Sequence, residues 1–286
     1  MSRIEFSKYH GFGNDYIVLE RKQIASHVSI GELARKICDR HEGVGSDGIA
    51  IIEPVDAGEA EFSCEIVNPD GSIAGFSGNG TRCAVAYLYH SNIWKDKTLR
   101  LRTRTGVKNY RLINREGVGG FWFEAEIGEP KFSSDEIPVL LSSHREAVVN
   151  EPIEIDGSVH GFSAVNVGNP VACIFVDTFD FDWRSVGRKM ETHQAFPDRV
   201  NVVFVRVIDT ENIELRIWER GAGETAASGT CSAGAAVLSA FLLKTRRSVN
   251  VHSPGGITRV VWRDNGEIVL TGRADFAFRG EWPLSK

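Results

Sequence analysis

Cysteine is scarce in this chain of 286 residues. Cys38, Cys64, Cys83, Cys173 and Cys231 are odd in number and show no CxxC spacing, which argues against both a disulfide framework and a zinc site. They read as reduced, mostly buried thiols. Long hydrophobic runs are missing too. The longest largely apolar stretch, Ala233 to Leu243, is far shorter than the roughly 20 residues that span a bilayer. The start, "MSRIEFSKYHGF", has no basic segment leading into an apolar one, so a cytoplasmic protein without membrane contact is expected. Positive charge is in deficit, with 33 Lys and Arg against 38 Asp and Glu and a net charge of -5. Pairs such as Arg246 and Arg247 are scattered, and no nucleic-acid partner is expected. "RHEGVGSD" is not HExxH and the other histidines lack ligand spacing, so no metal is implied.

What is present is a chain long enough for two medium domains with full cores. Short β-branched and aromatic runs bounded by Gly, Asn or Asp predict strands at Ile4 to Tyr9, Tyr16 to Glu20, Gly48 to Glu53, Phe62 to Val67, Thr98 to Arg104 and Phe121 to Ile127. Second-half strands are expected at Gly161 to Val167, Ala172 to Val176, Val200 to Ile208, Ile213 to Glu219, Val249 to His252, Ile257 to Trp262 and Glu267 to Leu270. Helical spacing is confined to Ile30 to Arg40, Gly80 to His90, Trp183 to His193 and Ser232 to Leu243.

The halves repeat one recipe. Gly13-Asn14-Asp15 precedes a strand, and Gly168-Asn169-Pro170 does so about 155 positions later; "FSGNGTRC" from Phe76 recurs as "ASGTCSAG" from Ala227, its serine about 151 positions on. Aligning Ser77 with Ser228 sets Asn68 against Glu219, each at a strand end. Two related domains follow, with similar loops expected to face each other across a cleft. The boundaries expected are 1–123, rejoined by 275–286, and 124–274.

Each serine heads a Gly-rich loop that runs straight into an apolar helix. The first-turn N–H groups of such a helix are unpaired and sit at its partly positive end, which favours a carboxylate. Two such ends gripping one small molecule would place a group from each loop beside it, able to remove a proton from one face of a carbon and return one to the other. The plainer reading makes Ser77 and Ser228 ordinary N-caps.

These residues carry a family resemblance. "KYHGFGNDYIVLE", "RHEGVGSDG", "NPDGS", "SGNGTRC", "VGNP", "RVNV", "WERGAGET", "PGG", "LTG" and "GEW" follow one another over nearly the whole chain. Together they resemble the PLP-independent diaminopimelate epimerases. The resemblance implies an α/β (α+β) fold of two pseudo-symmetric domains, each a β-structure wrapped around a central helix. It implies a homodimer that interconverts LL- and meso-diaminopimelate without a cofactor, on the route to lysine and peptidoglycan. By that resemblance Asn14, Asn68, Asn169 and Asn201 are substrate-binding amides. Glu219 and Arg220 address the distal amino and carboxylate ends, and Gly78-Asn79 with Gly229-Thr230 cradle the reacting carboxylate. A bidentate guanidinium with amide acceptors suits a diamino dicarboxylate. Each lone Asn also fits a turn role, and Glu219 with Arg220 also fits a surface ion pair.

The departure lies at the centre of the motif. The family positions matching Ser77 and Ser228 are cysteines, one a thiolate base and the other a thiol acid. A thiol titrates near 8.5 and is tunable towards neutrality, whereas a serine hydroxyl needs a neighbouring base. The histidine that follows Gly-Asn-Pro in the family is Val171 here. Cys231 and Cys83 stand too far into their helices to take the head positions.

Three readings stay open: an epimerase with reduced turnover, a paralogue doing dehydration or double-bond isomerisation with Glu219 or Asp70 as base, and a non-catalytic binder of an amino acid. Other classes fit less well. The GxGxxG at Gly43 to Gly48 follows a helix and precedes a strand, the reverse of a dinucleotide fingerprint, and Gly75 to Asn79 lacks the last glycine of a nucleophile elbow.

Overall fold

The computed structural model describes residues 3–56 and 58–284. In chain order the first elements are β1 (Arg3–Gly11), β2 (Asn14–Glu20), α1 (Ile30–Ile37), β3 (Ile49–Pro54), β4 (Phe62–Val67), α2 (Gly78–His90), β5 (Thr98–Thr103), β6 (Gly106–Glu116) and β7 (Gly120–Gly128). There follow β8 (Glu151–Ile155), β9 (Ser158–Asn166), β10 (Pro170–Phe175), α3 (Trp183–Glu191), β11 (Asn201–Val207) and β12 (Asn212–Glu219). The last are β13 (Gly223–Thr225), α4 (Gly229–Phe241), β14 (Ser248–Ser253), β15 (Gly256–Trp262) and β16 (Ile268–Pro283).

The chain divides into two compact units, Met1–Ala125 with Thr271–Lys286, and Glu126–Leu270. Both divisions fall inside a strand, β7 and β16, so no Gly/Pro-rich linker marks them and they lie a few residues from 123 and 275.

In the first unit the strand order is β1-β2-β3-β4-β5-β6-β7-β16, and β16 also pairs with β1, so the ring closes and leaves no free edge. Two pairs are parallel, β2 with β3 across α1 and β4 with β5 across α2. The two helices serve different faces. Leu33, Ala34 and Ile37 of α1 pack with Ile4, Ile17, Leu19, Ile49 and Ile51 in one cluster, the behaviour of a one-sided amphipathic helix. By contrast α2 is buried except at Gly78, Tyr87 and His90 and packs against β1 to β4. Its other flanks meet β6 through Thr81 and Tyr110, β7 through Tyr89 and Phe123, and β16 through Arg82 and Gly272. A helix covered on every side is the centre of its unit.

The second unit repeats the pairing logic with the order β15-β14-β12-β11-β10-β9-β8, β13 lying beside β12. Again two pairs are parallel, β10 with β11 across α3 and β12 with β14 across α4. Trp183 and Met190 of α3 join a core with Ile153, Phe162, Phe204 and Trp218. α4 is buried except at Gly229 and Phe241. Its Ala, Gly and Ser side chains permit close approach: a Cβ on Gly234 would lie 2.9 Å from Val171 Cβ. Two pseudo-symmetric units, each wrapped around one central helix, are therefore the architecture.

Local corrections have physical reasons. α4 begins at Gly229 rather than Ser232, and α2 at Gly78 rather than Gly80. The weak helix propensity of glycine hid the first turns from a pattern reading. α1 stops at Ile37 and α3 at Glu191, earlier than the apolar spacing suggests. β6 and β8 were not expected because their outward residues are charged or polar, and β16 runs to Pro283, far past Leu270.

The loop after α1 is tightly determined. A Cβ on Gly43 would run into the carbonyl oxygen of Lys36 and lie 2.7 Å from those of Asp39 and Ile37. Gly43→Ala is expected to cost roughly 2 kcal/mol by forcing backbone apart, read as a lower urea midpoint; an unchanged midpoint would show that this loop relaxes freely.

Candidate active site

The described contacts at the head of α2 come from residues of the first unit. Ser77 has extended backbone, φ -136° and ψ 117°, and its Oγ accepts the Gly80 N–H at 3.0 Å. That is an N-cap bond, worth about 1 kcal/mol. Among the described residues no acceptor is bonded to the Gly78 and Asn79 N–H groups, which therefore remain available at the positive helix end. Behind this head lies Arg82, fully buried, whose Nη1 donates to the Arg273 carbonyl at 3.3 Å while Nε has no partner. Burial lowers its pKa from the ordinary value. Its guanidinium adds positive charge beneath the same helix end.

Asn14 and Asn79 belong to this head. Asn79 Nδ2 donates to Asn14 Oδ1 at 3.1 Å, and Asn14 Nδ2 donates to Asp47 Oδ2 at 2.8 Å. Gly11 makes room for Asn79, since a Cβ there would lie 2.8 Å from its Oδ1. Asn68 follows β4 and donates from Nδ2 to Ser72 Oγ at 2.9 Å, within the "NPDGS" turn. Asp70 in that turn is exposed, and the Ser72 hydroxyl and N–H lower its pKa. A carboxylate held in its ionised form at the surface makes a weak general base.

The pair that anchors Asn14 had no assigned role in the sequence. Asp15 is buried and receives Arg40 Nη2 at 2.8 Å, Lys8 Nζ at 2.8 Å and the Asp47 N–H at 3.1 Å. Arg40 also reaches Asp47 at 2.7 Å. Burial by itself would raise the Asp15 pKa, but the Arg40 and Lys8 contacts outweigh it and hold the carboxyl below its ordinary 3.8. Both Arg40 and Asp47 lie in "RHEGVGSDG", the one available signal.

The second unit presents a different head. Ser228 has the same extended backbone, φ -147° and ψ 128°, but makes no side-chain cap bond. Among the described residues the Gly229, Thr230 and Cys231 N–H groups have no acceptor, so this helix end is fully open. Ser228 is buried, one helical turn before the Cys231 thiol. Burial and the nearby Glu219 carboxylate push that thiol well above its ordinary value. Cys83 is likewise pushed up to about 12 by burial, so neither is a thiolate near neutral pH.

Around α4, Glu219 ends β12 and its Oε1 accepts the Thr225 hydroxyl at 2.7 Å. Asn201 is buried; its Nδ2 donates to the Pro170 carbonyl at 2.9 Å and its Oδ1 accepts the Arg220 N–H at 3.0 Å. The Arg220 guanidinium donates to the Asp198 carbonyl at 3.1 Å. Glu191 accepts the Trp218 indole and the Gly221 N–H, both at 2.8 Å, and so fixes the turn that carries Arg220. This buried carboxylate was not anticipated, because only the fold brings it under that turn. Asn169 is half-buried at the entry to β10, and Val171 lies inside against Gly234. Among the described residues no group of three or more His, Cys, Asp or Glu could hold a metal, and no helix is long and apolar enough to cross a membrane.

Comparison with known proteins settles the family. The diaminopimelate epimerase family model matches residues 6–131 and 163–277. The chain belongs to the diaminopimelate epimerase family. A diaminopimelate epimerase of Caldanaerobacter subterraneus subsp. tengcongensis is 40% identical over 279 residues, covering 97% of this chain and 99% of that protein. That of Pelotomaculum thermopropionicum is 39% identical over 282 residues, with 98% and 99% covered. The fold is shared with a hydroxyproline epimerase from Agrobacterium vitis, TM-score 0.75 at 12% identity over 100% of this chain and 94% of that one. A probable proline racemase from Agrobacterium radiobacter aligns with TM-score 0.73 at 15% identity, covering 99% and 93%. Membership in the diaminopimelate epimerase family makes the chain an isomerase by class.

The depressed Asp15 carboxyl has a signed consequence. A group whose folded pKa lies below its unfolded one stabilises the fold above the unfolded value and loses that contribution as pH falls through the folded value. Thermal midpoints measured from pH 6 down to pH 2.5 should therefore fall more steeply for the native chain than for Asp15→Asn. Parallel curves would show that Asp15 does not carry this acid sensitivity.

Proposed function

We propose that this chain catalyses cofactor-independent epimerisation at the α-carbon of an amino acid, with LL-diaminopimelate going to meso-diaminopimelate as the reaction. The observation that carries the reading is the matched pair of helix heads, a Ser-Gly step opening the central helix of each repeated unit in a chain of this family. The names of its relatives supply the substrate. Lysine and peptidoglycan precursors would be the products served.

In this reading the free N–H groups at Gly78-Asn79 and Gly229-Thr230 receive the reacting carboxylate, where aligned helix dipoles favour negative charge. The same field lowers the cost of the carbanion formed when the α-proton leaves. Ser77 and Ser228 hold the acid and base positions on opposite faces of that carbon. Asn14, Asn68, Asn169 and Asn201 bind or frame the substrate, and Glu219 with Arg220 address its distal amino and carboxylate ends. Asn201 does its part through the backbone of Arg220, which it holds at 3.0 Å.

Serine at both heads sets the rate. A hydroxyl gives up its proton far less readily than a thiol, so the binding machinery is complete while proton transfer is slow. Ser77→Cys with Ser228→Cys is expected to raise turnover by roughly 100-fold or more with little change in KM, the signature of a change felt at the transition state alone. Chiral separation of LL- and meso-diaminopimelate over time measures it. Equal rates in the double variant and the native chain would overturn the acid/base assignment.

A further inference from the structure

Tyr16 stands in β2, two residues after Asn14, and its phenol oxygen lies 2.9 Å from Ser77 Oγ. The side chain is buried. Two glycines seat its ring: a Cβ added at Gly48 or at Gly80 would come within 2.8 Å of Tyr16 Cε1. Gly80 is in the first turn of α2, so bare helix backbone forms one wall of the ring's slot. The phenol is thus aimed at the helix head by the same residue whose N–H is capped by Ser77 Oγ.

The lone pairs of Ser77 Oγ leave room for a donated phenol proton. A hydroxyl oxygen has one proton and two acceptor positions. At Ser77 the Gly80 N–H fills one of those positions. A phenol donating into the second leaves the serine proton as the group free to point away from the helix.

We infer that Tyr16 is a positioning residue that donates its phenol proton to Ser77 Oγ and so makes Ser77 the proton-giving hydroxyl of the pair. This rests on the proton-transfer reading given above. As the step runs, the Ser77 O–H bond breaks and its proton joins the α-carbanion, whose lone pair becomes the new C–H bond. The Tyr16 proton moves onto Ser77 Oγ, so serine ends as a neutral hydroxyl and the charge rests on a phenolate, which regains a proton from water. A phenol, ordinarily near pKa 10, carries that charge more readily than an aliphatic alkoxide. Among the described residues no phenol reaches Ser228: its neighbour is the Cys231 thiol, held protonated by burial. The two heads are therefore inequivalent.

Ser77→Cys turns the helix head into a titratable reporter, and comparison with Ser77→Cys/Tyr16→Phe needs no substrate. The five native cysteines are buried in the fold. Thiolate absorbance followed with pH should give a reporter midpoint about one pH unit higher once the phenol hydroxyl is gone, a roughly tenfold smaller thiolate fraction at fixed pH. Identical midpoints overturn the inference. Phenylalanine keeps the ring that fills the slot, and unchanged far-UV circular dichroism verifies that both variants fold. With Ser77 retained, Tyr16→Phe should slow epimerisation about tenfold, and fluorinated tyrosine at position 16 should shift the alkaline limb of the pH-rate profile down. An unchanged rate in Tyr16→Phe also overturns it. Absence of turnover in the native chain counts against the epimerase reading, while the thiol titration still decides the role of Tyr16.

Discussion

Everything in each unit depends on enclosing one helix on all sides with strands. An exposed helix has a face to spare for chemistry, but α2 and α4 spend their flanks on packing, so only their ends remain. The strands approach closely because the contact residues are small: Gly80 against Tyr16, Gly234 against Val171, Gly272 against Arg82. Close packing of that kind is intolerant of added volume. A buried helix with an open N-terminus concentrates unpaired N–H groups and dipole field at one spot, and that spot is where each serine stands.

The two units share this plan and differ in how they finish it. At α2 the serine is tied down twice, by an amide and a phenol, and the asparagines beside it are clamped through Asp47 to the Arg40, Lys8 and Asp15 network. At α4 the serine is uncapped and the neighbouring turn is organised by Asn201 and Glu191 through backbone N–H groups. Buried charges are costly unless paired, and both supporting networks satisfy their carboxylates with several donors. Preorganisation of this sort places groups before any substrate arrives.

Much of this was legible in the sequence, because the punctuation is strong. Ser-Gly heads, Gly-Asn steps and alternating strands mark the helices, the repeat and the family, and the full-length matches agree with that family. The charged strand β6 escaped because both its faces carry polar side chains, and the part of β16 beyond Leu270 because it continues through Arg273, Asp275 and Arg279. Arg40, Asp47, Glu191 and Tyr16 act here across 25 or more residues of chain, at contacts such as Tyr16 to Ser77, and no local pattern announces a partner that far away. The plain capping role expected for serine is present at Ser77 and absent at Ser228, although both stand at the same place in the same motif.

The central claim is that two serine hydroxyls at helix heads exchange a substrate α-proton. Proton NMR of the native chain with LL-diaminopimelate in deuterated buffer measures this directly through loss of the α-proton signal. The account predicts slow exchange above the uncatalysed background, abolished by Ser77→Ala or by Ser228→Ala. Exchange that persists in both alanine variants, or tight binding with none in the native chain, would contradict it.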